Sequence, residues 1–382
     1  MKILIALTYY RPHISGLTIY VERLARGLAA RGHRVTVLTS HFARELPYRE
    51  EIDGVTVVRH PVLFKLSKGA IMPGFLNHAL WLMRAHDVVS VHLPQAEGGP
   101  LSLLGRLVAR KPVVLTYHCD VQLPHAILNQ AVDRLVFLSN LCAGVFADRL
   151  VAYTEDYAVN SPLLSRFKNK IKAIYPPVEM PLPDPDAVTD LRSRHHADGH
   201  CVVGFAARFA EEKGIDYLIQ SIPYVAEQIP SVKYLLAGET LKVIGENVWE
   251  RLQPQIERNR QNIEILGTIP NKQMGNFFGA CDVLTVPSIN STESFGLVQI
   301  EAMLSGCTVV ASNLPGVREP VRVTGMGEVV PIKDARALAA AIVQVIQNKA
   351  RYVRPRREIE QTFALERTLE EYERLFDGLL TE

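Results

Sequence analysis

The sequence of 382 residues has few of the features that mark secreted or membrane-spanning proteins. It contains only five cysteines, none in a CxxC spacing and most inside apolar runs, which favours reduced core thiols over a disulfide framework. No run of 18 apolar residues is present, which argues against a membrane-spanning helix. The apolar run before Arg11 is too short for a signal peptide. We therefore expect a cytoplasmic protein.

Charge of one sign is also scarce. The 42 lysines and arginines nearly balance the 40 aspartates and glutamates, leaving a formal charge of +2. A dedicated nucleic-acid-binding protein would carry a basic excess, so we expect no nucleic-acid partner. The chain is 48% apolar and 21% charged, which is typical of globular domains with a sizeable core and excludes a disordered chain. Its length allows two or three domains.

Short apolar runs alternate with longer stretches of helical period. Apolar residues at helical spacing also predict a helix between the first two strands, and a terminal helix at about 365–380 has one apolar face. Near-continuous apolar strands joined through helices are typical of parallel sheets covered on both faces. Strands are predicted at 2–7, 34–39, 87–91, 112–116, 149–153, 171–175, 201–207, 231–237, 262–266, 281–286 and 307–312, and further helices near 215–229, 271–279, 296–305 and 334–348.

A proline-rich segment divides this pattern. Residues 176–186 (PPVEMPLPDPD) include five prolines, which cannot continue a helix or a central strand and so indicate a linker. The strand–helix alternation then restarts. We therefore predict an α/β protein with two doubly wound, Rossmann-like parallel-sheet domains, residues 1–176 and 177–364, followed by the terminal helix.

Polar residues that could bind a ligand or take part in catalysis follow the predicted strands. Gly16 lies after the first strand, His118 after the strand at 112–116, and Arg208 with Lys213 after the strand at 201–207. The segment 287–297 follows the strand at 281–286 and opens a helix. Open parallel sheets bind ligands beyond the carboxyl ends of their strands. If the two sheets face each other, these loops line one interdomain cleft.

The residue types in these loops suit a nucleotide sugar. Gly16 lets helix amides approach an anion, and Arg208 and Lys213 supply two cations for a diphosphate. Glu293 lies in the loop before a helix and Glu301 lies inside that helix. One carboxylate can reach a reacting centre while the other accepts hydrogen bonds from hydroxyls such as a ribose diol.

These residues strongly resemble the motifs of family 4 of the retaining GT-B glycosyltransferases. The segment 206–214 (AARFAEEKG) and the pair Glu293 and Glu301, separated by seven residues, carry the resemblance, which extends over nearly the whole chain. The sequence departs from the family pattern at Ala207, where glycine is usual, and at Ser15–Gly16, where a double glycine is common.

The resemblance implies a role for each matching residue. Catalytic roles would fall to His118, beside the anomeric carbon of the transferred sugar, and to Glu293, on the sugar hydroxyls. Gly16 would offer an amide to the diphosphate or the acceptor, and Arg208 and Lys213 would balance the charge of the leaving nucleoside diphosphate. Residues 1–176, joined by the terminal helix (about 365–382), would bind the acceptor, and 177–364 would bind the donor. Further donor contacts would come from Ser294, Phe295, Gly296 and Leu297 to sugar and phosphate, from Glu301 to ribose, and from Gly267, Thr268 and Ile269 to the base.

Simpler interpretations exist for each of these residues. Arg208 and Lys213 could be surface charges beside Glu211 and Glu212, since exposed pairs contribute little to stability. His118 could be a core histidine whose hydrogen bonds are satisfied internally, although its place after a strand favours a site. His92 also follows a strand, and we interpret it as structural.

Two segments imitate metal motifs. HHADGHC at 195–201 has neither a CxxC nor an HExxH spacing. DPD at 184–186 lies in the proline-rich linker and not after a strand. We therefore predict no metal and no cofactor, so that cations and helix amides alone stabilise the leaving group.

Basic residues with apolar neighbours raise the alternative of contact with a membrane surface. They are Lys65, Lys68, Arg106, Arg110, Lys111 and the run at 351–357 (RYVRPRR). An ordinary solvated face is the simpler interpretation. Peripheral docking on the inner face of an anionic membrane is the alternative, because many acceptors of this family are lipid-linked.

The overall prediction is a retaining, metal-independent glycosyltransferase. It would move a sugar from a nucleoside diphosphate, with UDP-glucose as the first candidate, to an acceptor hydroxyl in exopolysaccharide or envelope glycan assembly. The alternatives are a nucleotide-sugar 2-epimerase on the same fold, which would need no acceptor, and a sugar-nucleotide binding module without turnover.

Overall fold

The computed structural model describes residues 1–66, 69–120, 127–240 and 247–381, which form two compact units. The first unit comprises Met1–Pro177 together with Leu365–Glu382, and the second comprises Val178–Ala364. No helix among the described residues is both long and apolar enough to cross a membrane.

The first unit is built on an eight-stranded sheet with an additional two-stranded hairpin. The unit also contains a π-helical stretch, Leu104–Ala109. Its strands are β1 (Lys2–Ala6), β2 (Arg34–His41), β3 (Arg49–Ile52), β4 (Val55–Pro61), β5 (Phe64–Leu66), β6 (Gly69–Ile71), β7 (Val88–Leu93), β8 (Val113–Tyr117), β9 (Arg149–Ala152) and β10 (Ile171–Ala173), and its first five helices are α1 (Gly16–Ala30), α2 (Phe75–Ala85), α3 (Gly98–Leu103), α4 (Ile127–Phe146) and α5 (Glu155–Asn160).

The order of strands in this sheet is β10-β9-β8-β7-β1-β2-β4-β3, and every pair except β3–β4 is parallel. The chain moves outward from β1 in one direction through β2 and then returns to β7 on the other side. The strand order therefore reverses between β1 and β7, which makes their carboxyl ends the switch point of the sheet.

Sequence periodicity missed β3 and β4, although a short-range signal for them was present. Charged residues dominate β3, and the apolar stretch of β4 is confined to 55–58 (VTVV), so no strand was predicted there. Asp53 and Gly54 both have positive φ between the two antiparallel strands. An Asp-Gly pair is a strong hairpin signal because it adopts the turn that matches strand twist.

The second unit is an all-parallel six-stranded sheet in the order β13-β12-β11-β14-β15-β16. Its core lies between the sheet and flanking helices such as α7 and α12. The strands are β11 (Cys201–Ala206), β12 (Val232–Ala237), β13 (Ile263–Gly267), β14 (Val283–Val286), β15 (Thr308–Ser312) and β16 (Gly327–Val330), and the helices are α6 (Pro185–Arg194), α7 (Ile215–Gln228), α8 (Val248–Arg258), α9 (Met274–Ala280), α10 (Leu297–Leu304), α11 (Glu319–Thr324), α12 (Ala335–Gln347), α13 (Lys349–Tyr352) and α14 (Arg356–Phe363).

The terminal helix α15 (Leu365–Thr381) belongs to the first unit and packs on α1. Gly27 of α1 meets Leu369 so closely that an added Cβ would lie 2.6 Å from the leucine side chain. Tyr20 and Tyr372 join their hydroxyls at 2.7 Å inside this interface. The one-sided apolar stripe read from the sequence therefore packs on a helix more than 300 residues earlier in the chain.

The predicted proline linker ends earlier than its composition suggested. Pro185 is the first residue of α6, and Asp184 caps it by accepting the amide of Asp186 at 3.0 Å. Proline is tolerated at this position because the first amides of a helix have no intrahelical partner. The DPD sequence is thus a helix start, and its carboxylate is used as a cap.

Candidate functional site

In the second unit, the loops that follow β11 and β14 are joined by their backbones. The Ile289 amide donates to the Glu212 carbonyl at 3.0 Å. Gly214 has φ +66°, and a Cβ at this position would lie 1.9 Å from the carbonyl oxygen of Pro287. Only glycine permits this approach, and it brings residues that are far apart in the sequence to one edge of the sheet.

The same two loops are joined by a half-buried ion pair. Lys213 Nζ lies 2.6 Å from Glu293 Oε2, and about one fifth of each side chain is exposed (21% and 18%). The other carboxylate oxygen, Oε1, accepts the amide of Gly296 at 3.0 Å. Burial acts to lower the pKa of Lys213, but the charge and hydrogen bond of Glu293 outweigh it and raise that pKa. Lys213 is therefore a cation held in a defined position.

Arg208 lies in the same loop but is far more accessible. Half of its side chain is exposed, and its guanidinium contacts Glu212 at 3.2 Å. The surface-pair interpretation thus describes the Arg208 contact but not that of Lys213, whose side chain is only 21% exposed. Glu212 was not predicted as a site residue, yet its side chain orients Arg208 and its carbonyl anchors the neighbouring loop.

The second cationic element of this edge is the N-terminus of α10. Gly296 is its cap residue, with φ +74°, and no side chain in the described part of the chain caps the first turn. Beneath it, the Gln299 side-chain amide donates to the carbonyls of Phe295 and Val317 at 2.7 and 2.9 Å. The first amides of a helix attract anions when side chains leave them uncapped.

Residues that flank this helix start are held in the fold to different degrees. Ser294 and Phe295 are buried, and the Phe295 ring packs on Phe363 at 6.1 Å. Leu297, the first helical residue, is half-buried. Glu301 is half-buried in α10, one turn beyond the start of the helix, and its carbonyl accepts the Ser305 hydroxyl.

The predicted base-reading segment lies at the same edge of the sheet. Gly267 ends β13, has φ +66°, and accepts the amide of Gly238 at 2.8 Å. A Cβ on Gly238 would lie 1.9 Å from the carbonyl oxygen of Ala207, so the ends of β13, β12 and β11 adjoin. This close approach requires glycine at 238, whereas Ala207 has no positive φ and tolerates its side chain. Thr268 is exposed and Ile269 is half-buried.

In the first unit, the loop after β1 leads directly into a capped helix. Gly16 is the first residue of α1 and not the residue before it, because Ser15 is the cap. The Ser15 hydroxyl accepts the amide of Thr18 at 3.2 Å, and the Thr18 hydroxyl accepts the amide of Ser15 at 2.7 Å. Serine in the place of the usual first glycine therefore forms a capping box. Gly16 is exposed, and its amide lies between the two amides that this box uses, those of Ser15 and Thr18.

His118 follows β8 and lies in a buried cluster with polar side chains. Its Nε2 lies 2.9 Å from Nδ1 of His92, and its Nδ1 contacts the hydroxyl of Tyr153. Burial, and then the neighbouring His92, lower the pKa of His118 well below its usual value, and burial lowers that of His92 to about 3. Both rings are therefore neutral near pH 7.

The cluster extends to the terminal helix. Tyr20 packs edge-on to His118 at 4.9 Å, and its hydroxyl contacts Tyr372 of α15. The Tyr372 hydroxyl also lies 2.8 Å from Thr116 Oγ1 on β8. His92, which the sequence analysis interpreted as structural, contacts His118 directly. Its position at the end of the strand beside β8 was the available signal.

The two metal-like segments are helix ends in this fold. His195 is the C-cap residue that follows α6, and Nδ1 of His200 contacts the Asp198 carbonyl at 2.9 Å. Among the described residues, no group of three or more histidine, cysteine, aspartate or glutamate side chains is placed to hold a metal ion.

The basic residues considered for membrane contact have different environments. Arg356, in the 351–357 run, makes its hydrogen bonds within the second unit, where it donates to the carbonyls of Leu304 and Met180. Lys65 lies over the Phe42 ring at 5.9 Å. Arg106 pairs with Asp148 at 3.0 Å, yet half of its side chain is exposed. Lys68 lies outside the described residues.

Comparison with known proteins agrees with this architecture. Residues 14–180 match the family model described as Glycosyltransferase Family 4, and residues 189–362 match Glycosyl transferases group 1. The chain is 27% identical over 354 residues to a phosphatidyl-myo-inositol mannosyltransferase of Mycobacterium tuberculosis, covering 88% of this chain and 86% of the relative.

Solved structures with the same fold include HepE from Anabaena in complex with UDP. That structure matches with a TM-score of 0.77 at 20% identity, over 99% of this chain and 100% of the other. Sucrose-phosphate synthase from Thermosynechococcus elongatus matches with a TM-score of 0.79 at 21% identity, over 100% and 99%. The likeness confirms the predicted fold class of two Rossmann-like parallel-sheet domains. With a family model matched in each half, the chain belongs to the group 1 and family 4 glycosyltransferases of the GT-B fold.

Proposed function

We propose that this glycosyltransferase transfers a sugar from a UDP-sugar, with UDP-glucose as the first candidate, to an acceptor hydroxyl with retention of configuration. The observation that carries the donor site is the half-buried, ion-paired Lys213 beside the start of α10, which no described side chain caps. Together they offer a fixed cation and free amides to a diphosphate. Arg208, more exposed in the same loop, adds a second cation.

In the proposed reaction, negative charge develops on the β-phosphate of the donor, which Lys213, Arg208 and the amides of α10 would bind. As the bond from the anomeric carbon to the phosphate oxygen breaks, its electron pair goes to the β-phosphate. Fixed cations and amides stabilise that charge without reorganising, which is a large term in such catalysis. The acceptor oxygen bonds to the anomeric carbon from the leaving-group face, and its proton passes to the departing phosphate. In this scheme Glu293 positions the sugar hydroxyls and forms no covalent bond.

The predicted base-reading segment favours uracil. Residues 267–269 (GTI) contain no carboxylate to accept the two donors on the guanine edge. Backbone groups at the positive-φ turn of Gly267 can pair with uracil, which has one donor and two acceptors. The main rival sugar is mannose, because the M. tuberculosis relative is a mannosyltransferase.

A binding screen tests the donor directly. Thermal shift and calorimetry with UDP, GDP, ADP and TDP, followed by UDP-glucose and GDP-mannose, should select UDP and its sugar. Selective binding of GDP-mannose would replace UDP-glucose as the donor. Activity unchanged by EDTA is expected for a metal-independent enzyme, whereas complete loss that manganese restores would overturn that part of the proposal.

The alternatives to glycosyl transfer give different products. An epimerase would isomerise the nucleotide sugar with no acceptor present, and a binding module would release no nucleoside diphosphate. A transferase should instead release UDP in proportion to acceptor, and NMR of the new glycosidic bond reports its configuration.

For the acceptor, we propose a saccharide or lipid-linked saccharide of exopolysaccharide or envelope glycan assembly. Arg110 is exposed beside the apolar Leu107 and Val108, whose side chains are 57% and 45% exposed. Such a surface suits peripheral contact with anionic lipid. Sedimentation with phosphatidylglycerol vesicles, but not phosphatidylcholine vesicles, is expected, and absence of sedimentation would remove the membrane contact.

A further inference from the structure

A buried glutamine lies beneath the loop that carries Glu293. Gln299 is in the first turn of α10, and none of its surface is exposed. Its Nε2 atom donates to two carbonyl oxygens, that of Phe295 at 2.7 Å and that of Val317 at 2.9 Å. Because a carbonyl can only accept, these two contacts determine which end of the amide is the nitrogen. Gln299 therefore uses both of its donor hydrogens on the backbone.

The oxygen of this side-chain amide makes no such contact. Oε1 of Gln299 has no hydrogen-bond partner in the described ranges of the chain. Burying an acceptor without a partner costs stability, and an apolar side chain of similar shape would avoid that cost. The buried residues that follow it in α10 include Ile300, Ala302 and Met303, which are apolar. The two donors of Gln299, and not core packing, therefore account for a polar residue at this position.

The two carbonyls belong to loops that follow neighbouring strands. Phe295 lies in the loop after β14, and the fully buried Val317 lies in the loop after β15, which pairs with β14. Gly296 permits this contact, because a Cβ at that position would lie 2.8 Å from Nε2 of Gln299. One side chain thus joins the loop of Glu293 to the adjacent loop at the carboxyl edge of the sheet.

The carbonyl of Phe295 shares a peptide unit with an amide that binds Glu293. This carbonyl and the N–H of Gly296 are the two ends of one rigid, planar group. Gln299 donates to the carbonyl, and the N–H donates to Oε1 of Glu293 at 3.0 Å. Oε2 of the same carboxylate pairs with Lys213 at 2.6 Å. A rotation of the 295–296 peptide would therefore break the contact between Gly296 and Glu293.

We propose that Gln299 is a positioning residue, which holds the 295–296 peptide so that the N–H of Gly296 fixes the carboxylate of Glu293. The inference rests on the proposed function, in which Glu293 positions the hydroxyls of the transferred sugar. Since Gln299 is fully buried, it acts through the peptide and not on the sugar. When the diphosphate draws Lys213 away, the Gly296 amide is the contact that keeps the carboxylate in place.

Hydrogen exchange of the Gly296 amide tests this link without any substrate. The sequence contains two Phe-Gly pairs, Phe278–Gly279 and Phe295–Gly296, so phenylalanine labelled with carbon-13 at the carbonyl and glycine labelled with nitrogen-15 give NMR signals from these two peptides alone. Gly279, inside α9 of the same unit, is the internal reference for unfolding of that unit. In Gln299→Met, the Gly296 amide should exchange about tenfold faster relative to Gly279, as expected when a hydrogen bond to a charged group is lost.

Asn262→Leu is the matched control for this measurement. Asn262 is also a buried amide of the second unit, and its Nδ2 donates to the carbonyl of Val232 at 3.0 Å. Both residues lie at the amino ends of β13 and β12, at the opposite edge of the sheet. Asn262→Leu should leave Gly296 exchange unchanged, whereas Glu293→Ala, which removes the acceptor, should accelerate it. Equal Gly296 exchange in the wild type and Gln299→Met would overturn the inference.

Kinetics separate positioning from a merely structural role. In UDP release from UDP-glucose, Gln299→Met should lower kcat about tenfold and change KM by less than about threefold, because the phosphate contacts remain. Adding Gln299→Met to Glu293→Ala should lower kcat no further, since both changes act on one carboxylate. A further loss in the double variant, or a change in KM alone, contradicts positioning through Glu293.

A second variant and the single Glu293 variant keep the outcomes distinct. Gln299→Glu has the same shape but at most one donor hydrogen, so it should change exchange and kcat in the same directions and replaces Gln299→Met if that variant does not fold. If the wild type releases no UDP from UDP-glucose, or if Glu293→Ala keeps normal turnover, the proposed donor or the role of Glu293 is wrong. Gly296 exchange still decides whether Gln299 holds the peptide.

Discussion

Lys213 Nζ and Glu293 Oε2 lie 2.6 Å apart although the residues are 80 positions apart and follow different strands. The sequence had suggested separate tasks for them, a cation for the phosphates and a carboxylate for the sugar. If Lys213 binds the donor diphosphate as proposed, the diphosphate and Glu293 compete for the same ammonium group. We therefore expect donor binding to exchange at least part of this ion pair.

Glu293→Gln should separate donor binding from turnover. Removing the charge releases Lys213, so UDP should bind as tightly as to the wild type or more tightly. Turnover should fall about a hundredfold because a positioned transition-state contact is lost. Calorimetry and initial rates measure the two effects. Glu257→Gln, in an exposed pair with Arg260, is the control, and near-normal turnover of Glu293→Gln would remove Glu293 from the site.

Lys213→Ala should weaken UDP binding by roughly tenfold to a hundredfold, since a hydrogen bond to a charged group contributes about 1.5–3 kcal/mol. It should also lower the free energy of unfolding, because Glu293 loses its ion-pair partner in a mostly buried place. Calorimetry with UDP tests the first effect. Lys272→Ala removes an exposed cation from the same unit and should change neither quantity. An unchanged Kd for Lys213→Ala argues against the phosphate clamp.

Gly214→Ala should disturb the donor site through the backbone. Gly199→Ala is a close control, because Gly199 also has positive φ, +70° against +66°, but an added Cβ there meets nothing within 4 Å. Both substitutions place an alanine in the left-handed region of φ and ψ, which costs about 1–2 kcal/mol. Only Gly214→Ala also forces the Pro287 carbonyl away. Urea unfolding should show a greater loss for Gly214→Ala, and only this variant should bind UDP more weakly.

Acid should destabilise the protein partly through the buried histidines. The pKa of His92 falls to about 3 in the folded protein and that of His118 also falls, against about 6.5 in an unfolded chain. The unfolded state therefore binds more protons, so stability is full above pH 6.5 and declines as the pH falls toward 3. Denaturant titrations between pH 7 and pH 4 measure the free energy of unfolding. As the pH falls, this free energy should decline less steeply in His92→Gln than in the wild type, the two slopes differing by roughly 1 kcal/mol per pH unit.

His196→Asn, which removes an exposed histidine, should keep the wild-type pH slope. Equal slopes in the wild type and His92→Gln would show that the buried pair does not drive the acid dependence.

Tyr372→Phe should loosen the terminal helix without changing its apolar face. The lost hydroxyl leaves those of Tyr20 and Thr116 each without a buried partner, at a cost of about 1–3 kcal/mol. Denaturant unfolding measures the loss, and Tyr48→Phe, at a largely exposed tyrosine, should have almost no effect. If the two variants unfold alike, the buried hydroxyl cluster contributes little to the docking of α15.

Much of the architecture could be predicted because it depends on local patterns. Apolar runs identified the central strands, and the helical stripe identified α15. The β3–β4 hairpin was missed because its charged residues mask the apolar alternation, although Asp53–Gly54 marked its turn. Of the two strands, only β3 is at the edge of the sheet, where it pairs on one side only, so burial imposes a weaker pattern on it.

The sequence by itself determined which chemical groups stand after which strands: the cations at 208 and 213, the carboxylate at 293 and the imidazole at 118. Only the tertiary structure decided their partners, pairing Lys213 with Glu293, His118 with His92, and Gln299 with Val317. The reason is physical. Periodicity reports the neighbours of a residue along one element, whereas hydrogen bonds and burial between elements depend on which strands the folded sheet places side by side.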